Sequence, residues 1–353
     1  MEKERNYTID FFRIIFMLII CITHMQGALQ VYYMKNGWLG VEFFFILSGY
    51  YLYKSYQKNK EKSSIEYTKD RVKKMYPHYI FSFIVIFIIS AIRAKYRNEL
   101  DIVQMGISGF SEIFMMQKIG VFENGINYPL WYLSVLLFSG LIIFELLKQN
   151  KNLFLNVITP LTLVFYFSFL SSNDLNIETW KAVNGIYIPF LRGFVNMGIG
   201  CMLANFIDIY KENLDRLYSN KKYLCYMLEI VNYIILFYII CFDTNYNNYS
   251  ILSCSILILF AQQNESICTK LFNRKWLKIW PDITYAMFLN HAAIIIALAI
   301  LIPRIPFLAN LNAAFIMIGY LIILVIYSIL TDKLIKFLID NRKVHKNGKR
   351  YLW

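Results

Sequence analysis

Residues 13–24 read RIIFMLIICITH. Between Arg13 and His24 lie ten residues, nine of them apolar and the tenth Thr23. With its flanks this stretch is an apolar run of about 20 residues, the length that crosses a bilayer as one helix. A charged side chain near the middle of such a helix costs roughly 2.5 to 3.5 kcal/mol on insertion scales. The helical period shows how that cost is arranged. Eleven positions at about 100° each turn about 1,100°, some 20° beyond three full turns. Arg13 and His24 therefore share one stripe, separated by about 16 Å at 1.5 Å per residue. Asp10, three residues before Arg13, falls on nearly the same face. The first helix thus carries a polar seam on a lipid-like surface, and an ionisable seam inside a membrane is a functional-site hypothesis by default.

The rest of the chain repeats the apolar theme. Of its 353 residues 58% are hydrophobic, 18% aromatic and only 17% charged, against about 25% charged in soluble domains. Apolar segments predict about ten membrane helices, at 8–26, 37–54, 77–93, 128–147, 153–170, 185–206, 223–242, 249–263, 283–302 and 311–330. The fold class expected is an all-α polytopic membrane protein, with residues 1–331 as one membrane domain and 332–353 as a basic cytoplasmic tail. Residues 98–127, with IVQMGISGFSEIFMMQ, are too short and interrupted to span and read as a re-entrant or interfacial segment. No cleavable signal peptide is expected, since MEKERNYTIDFFR runs straight into a span.

The net charge of +13 does not point to nucleic acid, because its distribution follows the membrane. With the N-terminus in the cytoplasm, 27 basic residues fall in cytoplasmic segments and 7 in outer ones. That contrast obeys the positive-inside rule and puts both termini in the cytoplasm of a plasma-membrane protein. Lys69–Lys74, in KDRVKKMYP, is denser than topology requires and reads as a site for an anionic ligand or lipid phosphates. The six cysteines lack metal-ligand spacing and read as small hydrophobes; no metal site is expected.

Several polar residues remain inside spans. In this topology Glu42, in GWLGVEFFFILSGYYL, lies near the outer side at the depth of His24. A carboxylate beside an imidazole raises its pKa and fixes its tautomer, as a general base requires; a buried structural pair is the competing reading. Ser48 lacks a nucleophile elbow. Arg192 lies among Gly193, Gly198 and Gly200 and needs an anion or a polar cavity. His291 lies a third of the way into the ninth span. Trp131 reads as an interfacial anchor or a pocket wall, and His78 and His345 as incidental. An acid–base pair facing outward above a cationic mouth suits a proton-coupled transporter or an enzyme with a cytoplasmic anionic donor.

Six blocks in order narrow this choice: Asp10 with the Arg13-x10-His24 spacing, GVEFFFILSGY at 40–50, RVKKMYP at 71–77, PLWYLS at 129–134, the Arg192 stretch, and YAMFLNH at 285–291. Together they resemble the acyltransferase-3 family of integral membrane O-acyltransferases, over nearly the whole chain. The resemblance implies transfer of an acyl group, acetyl as the usual one, from acyl-CoA to a hydroxyl of a surface or exported glycan. It implies that Arg13 and His24 sit at the active centre and that Arg71 meets the CoA phosphates, with Lys73 and Lys74 beside it. Three departures stand out: Lys74 replaces the second arginine of the family's basic motif and loses its bidentate fork; Glu42 stands where the family often has aspartate; and no glutamate follows the PLWYLS block. The resulting expectation makes His24, oriented by Glu42, the general base, with acetyl-CoA lying along the Arg13 face. Arg192 or His291 would supply the oxyanion donor, and Asp10 and Trp131 would line the substrate site. The partners expected are membrane lipid, acyl-CoA and a carbohydrate acceptor. The rival is a transporter or flippase of a lipid-linked glycan, which inverted repeats would support; none is visible.

Overall fold

The structure, a computed structural model, describes residues 6–97, 102–120, 125–177, 179–242 and 246–348, the last seven of these by backbone only. It is a helical bundle. In chain order the helices are α1 Tyr7–Leu29, α2 Gly40–Lys58, α3 Ser64–Arg97, α4 Ile102–Ile113, α5 Trp131–Leu153, α6 Thr159–Ser172, α7 Ile188–Ile209, α8 Lys211–Asn220, α9 Lys222–Cys241, α10 Tyr249–Ala261, α11 Ile267–Phe272, α12 Trp280–Leu301, α13 Pro306–Ala309 and α14 Ala313–Gly348. Among the described residues seven helical runs are long and apolar enough to cross a membrane. The chain is an all-α polytopic membrane protein. Among the described residues the one strand pair is the short hairpin of Ala182–Val183 and Ile186–Tyr187. Asn184 and Gly185 turn that hairpin at positive φ, as a tight hairpin turn requires.

A helix lies over each of the ten apolar segments, but several boundaries differ from the sequence reading. The third helix starts at Ser64, not 77, so the basic RVKKMYP block is helical and Pro77 sits inside α3. The expected break between 147 and 153 is a single residue: Asn150 leaves helical geometry (φ −155°, ψ 93°), its side chain accepts from Leu153 N, and a π turn, Phe154–Ile158, leads directly into α6. The last helix continues through the start of the tail to Gly348. α10 has 13 residues, about 20 Å of helix, short of a roughly 30 Å hydrocarbon core. The 98–127 stretch contributes α4, at about 18 Å also too short to span; residues 98–101 and 121–124 lie outside the described set.

The closest helix pair is α2 against α7. Gly49 and Gly200 make it possible: a Cβ at Gly49 would overlap the Met197 carbonyl, and one at Gly200 the Ile46 carbonyl. Small residues let membrane helices meet backbone to backbone. Tyr53 donates to Asn205 (2.6 Å) and Lys54 pairs with Asp208 at the same interface. α1 packs between α2 and α12, α12 also touches α3 and α14, and α5 bridges α3 and α7. Five cysteines are buried and Cys241 is half-buried. Among the described residues no cluster of His, Cys, Asp or Glu fits a metal.

Candidate active site

Residues 128–132 organise the site. The 3₁₀ turn Tyr128–Leu130, with Pro129 at its start, passes directly into α5 at Trp131. Proline presets φ for such a turn and needs no donor there. Consecutive side chains then fan out around the axis. Tyr128 faces α1, Trp131 faces α7, and Tyr132 faces α2 and α12.

On the first side, the His24 ring lies 5.2 Å from the His291 ring, stacked at 30°, and 5.2 Å from Tyr128, edge to face. His24 is half-buried and His291 fully buried. His291 Nδ1 lies 2.7 Å from the Phe288 carbonyl. A carbonyl only accepts, so Nδ1 carries the proton, and neutral His291 presents a bare Nε2. That Nε2 is buried and has no hydrogen-bond partner.

From this pair the polar line continues along the bundle toward Arg13. Ser48 Oγ and the Tyr132 hydroxyl are 3.1 Å apart, and Tyr132 packs on Phe288, which packs on His291. Arg13 and Arg71 both lie within electrostatic reach of Tyr132. Arg13 pairs with Asp10 at 3.0 Å and lies over the Tyr51 ring at 5.2 Å. Arg71 donates to the Tyr67 hydroxyl (2.5 Å) and lies 5.4 Å over its ring. Lys73 and Lys74 are exposed on the same helix. α1 is unbroken from Tyr7 to Leu29, so the separation of about 16 Å between Arg13 and His24 stands.

On the second side, Glu42 departs from its expected role. Among the described residues its hydrogen bonds go to α7, not to His24. Arg192 Nε donates to Glu42 Oε1 at 2.6 Å, Arg192 Nη2 donates to the same oxygen, and Asn196 Nδ2 donates to Oε2. Arg192 is 1% exposed and Glu42 is fully buried. A guanidinium at that depth needs a full counter-charge, and a neutral imidazole cannot compete for the carboxylate. Three tryptophans enclose the guanidinium: Trp38 at 5.3 Å, Trp180 at 5.7 Å and Trp131 at 6.0 Å. Trp131 is therefore a buried wall around Arg192, packed edge-on against Trp180 at 4.7 Å.

Two further residues escaped the sequence reading. His78, taken as incidental, pairs through Nε2 with Asp332 at 3.1 Å, and Asp332 also holds Lys336. Glu112, in the stretch read as re-entrant, is fully buried beside the 128–132 turn. The helix expected from 128 begins instead with a 3₁₀ turn, and nothing local in the sequence points to the carboxylate that meets it. The side chain of His345 lies outside the described residues.

A family model described as an acyltransferase domain matches residues 6–332. The chain belongs to the acyltransferase-3 family of membrane acyltransferases. No curated protein and no solved structure gives a match.

Proposed function

We propose that the protein transfers an acyl group, acetyl first among them, from acyl-CoA to a hydroxyl of a surface or exported glycan. In this reading the helices over the ten apolar segments are embedded in the cell membrane, α10 entering it without crossing alone, with both termini and the basic tail in the cytoplasm. Residues 1–331 form the catalytic domain, and 98–127 is a re-entrant or interfacial element. The supporting observation is the placement of a stacked histidine pair, with the His291 Nε2 buried and unpartnered, about three helical turns from a cationic mouth.

The donor lies along that line. Its phosphates meet Arg71, Lys73 and Lys74, with charge-assisted hydrogen bonds from Arg71. Its pantetheine arm passes Arg13, which Asp10 holds in place. The thioester reaches the level of His24. There the acceptor oxygen attacks the thioester carbon while His24 takes the hydroxyl proton. As the tetrahedral intermediate collapses the C–S bond breaks, and the imidazolium returns the proton to the CoA thiolate. His291, with a bare Nε2 beside it, serves as a second proton acceptor that stabilises the His24 imidazolium. Neither oxyanion donor expected from the sequence suits that part: Arg192 is committed to Glu42, and neutral His291 has no proton on Nε2. We assign the part to the Tyr128 hydroxyl. Glu42 and Arg192 brace the site, and Trp131 and Trp180 wall it on the acceptor side.

The test is acetyl-CoA turnover by the purified protein in liposomes, together with the O-acetyl content of the host's surface polysaccharides by proton NMR. A deletion strain should lose acetyl signals that return with the wild type and not with His24→Ala. Unchanged acetylation in the deletion strain overturns the reading.

A further inference from the structure

We propose that Glu112 is a positioning residue for the His24–His291 pair, acting through the backbone of Ile126 and Asn127. The proposal rests on the functional reading of that pair given above.

The other buried carboxylates have evident work. Asp10 holds Arg13, Glu42 holds Arg192, and Asp332 holds His78 and Lys336. Glu229 caps the start of α11 by accepting from Ile267 N and Cys268 N. Asn127 is the N-cap of the 3₁₀ turn, and Glu112 meets the two residues that lead into that turn and α5. Its Oε2 accepts from Ile126 N at 2.6 Å and Asn127 N at 3.0 Å, and its Oε1 lies 3.2 Å from Asn127 N. Two successive amides aimed at one buried carboxyl group make a rigid clamp, because hydrogen bonds strengthen where water is excluded. The preceding residue is shaped for it: a Cβ at Gly125 would stand 2.9 Å from Glu112 Oε2 and 3.1 Å from Gln117.

The clamped residue reaches both histidines. Asn127 is followed by Tyr128, whose ring lies against His24. The Asn127 side chain donates to the Leu289 carbonyl (3.1 Å) and to Ser82 Oγ (3.3 Å), and Ser82 donates to the same carbonyl (2.6 Å). Leu289 lies two residues before His291 on α12. The Glu112 backbone joins in as well: its carbonyl accepts from Tyr79 at 2.6 Å, Gln117 donates to that Tyr79 hydroxyl, and Ser134 on α5 donates to Gln117. One residue of a short helix thus ties α3, the turn, α5 and α12 into one frame around the two rings.

Glu112→Gln keeps the shape but removes the charge, and with its amide oxygen in the Oε2 position its NH2 stands against Asn127 N. Full-length protein in nanodiscs, assayed with acetyl-CoA, should lose at least tenfold in kcat with the KM for acetyl-CoA within twofold of wild type, because the donor's anionic end binds at the other mouth. In a Tyr128→Ala background the same substitution should cost less than threefold, since both changes act on one turn. Carbethoxylation of His291 by diethyl pyrocarbonate, slow in the wild type, should quicken in Glu112→Gln whether or not turnover is measurable. Wild-type kcat, additive losses in the double variant, or unchanged His291 modification overturns the proposal. A wild-type protein that turns over no acetyl-CoA while His291 reacts faster in Glu112→Gln breaks the functional reading and leaves the positioning role standing.

Discussion

Two polar clusters flank the 128–132 turn, and they differ in chemistry. The Glu42–Arg192–Asn196 cluster is charge-matched: both carboxylate oxygens are engaged and the guanidinium is walled by tryptophans, while the neutral Asn196 Oδ1 is buried without a partner. The His24–His291 pair is open, with a ring nitrogen buried and unmatched. Inside a membrane protein an unmatched polar atom costs free energy, and the two clusters differ in kind: the Asn196 Oδ1 is an amide oxygen that takes up no proton, whereas the His291 Nε2 is a base. That difference in kind, more than burial, is what favours the histidine pair as the proposed reaction centre and the other cluster as its proposed brace, since both clusters are deep.

The widest gap between the clusters should appear in folding. Arg192→Ala leaves Glu42 buried without a counter-charge, a loss of about 3–5 kcal/mol. The expected outcome is a collapse in the yield of monodisperse protein on size-exclusion chromatography, with partial recovery in the double variant Glu42→Leu/Arg192→Met. Wild-type yield from Arg192→Ala would make the brace dispensable. His24→Ala should show the opposite pattern, with normal yield and thermal stability and a fall in acyl transfer of roughly 10²- to 10⁴-fold. Arg71→Ala probes the far mouth. Losing a charged hydrogen-bond donor, worth about 1.5–3 kcal/mol, should raise the KM for acetyl-CoA roughly 10- to 100-fold and spare kcat; an unchanged KM removes Arg71 from the donor site.

The smallest effect concerns pH. Burial pushes the Glu112 carboxyl up to about 7, against the two amide hydrogen bonds that favour its charge. A carboxyl raised above its unfolded value contributes stability at low pH and loses it as pH rises through the folded value. The melting temperature of the wild type relative to Glu112→Gln should therefore climb by a few degrees from pH 8 to pH 5. A difference flat with pH would show that Glu112 stays ionised throughout.

The parts of the site legible in the sequence were those set by local periodicity. Arg13 and His24 share a stripe because one helix carries both, and the basic run at 71–74 announced itself by density. Partnership across the bundle was not legible. Glu42 lies at a depth like that of His24, so adjacency in depth suggested a pair. Arg192, 150 positions away, won that carboxylate because α2 and α7 touch through Gly49 and Gly200. The bare Nε2 of His291 depends on a carbonyl one turn earlier that only coordinates reveal. The bounds of α3 and α14 were missed because amphipathic ends continue a helix beyond its apolar run, and hydropathy sees only the run.

The turn at 128–132 has a consequence for how this protein can vary. Tyr128, Trp131 and Tyr132 each serve a different neighbour: His24, Arg192 and Ser48. Side chains can be exchanged there one at a time. Length cannot, because one inserted residue rotates all that follows by about 100° and withdraws two of the three from their partners at once. Natural variants should therefore differ in single letters of this stretch more often than in its length. A designer grafting new acceptor specificity onto the scaffold should treat the spacing from Asn127 to Tyr132 as the one quantity to leave alone.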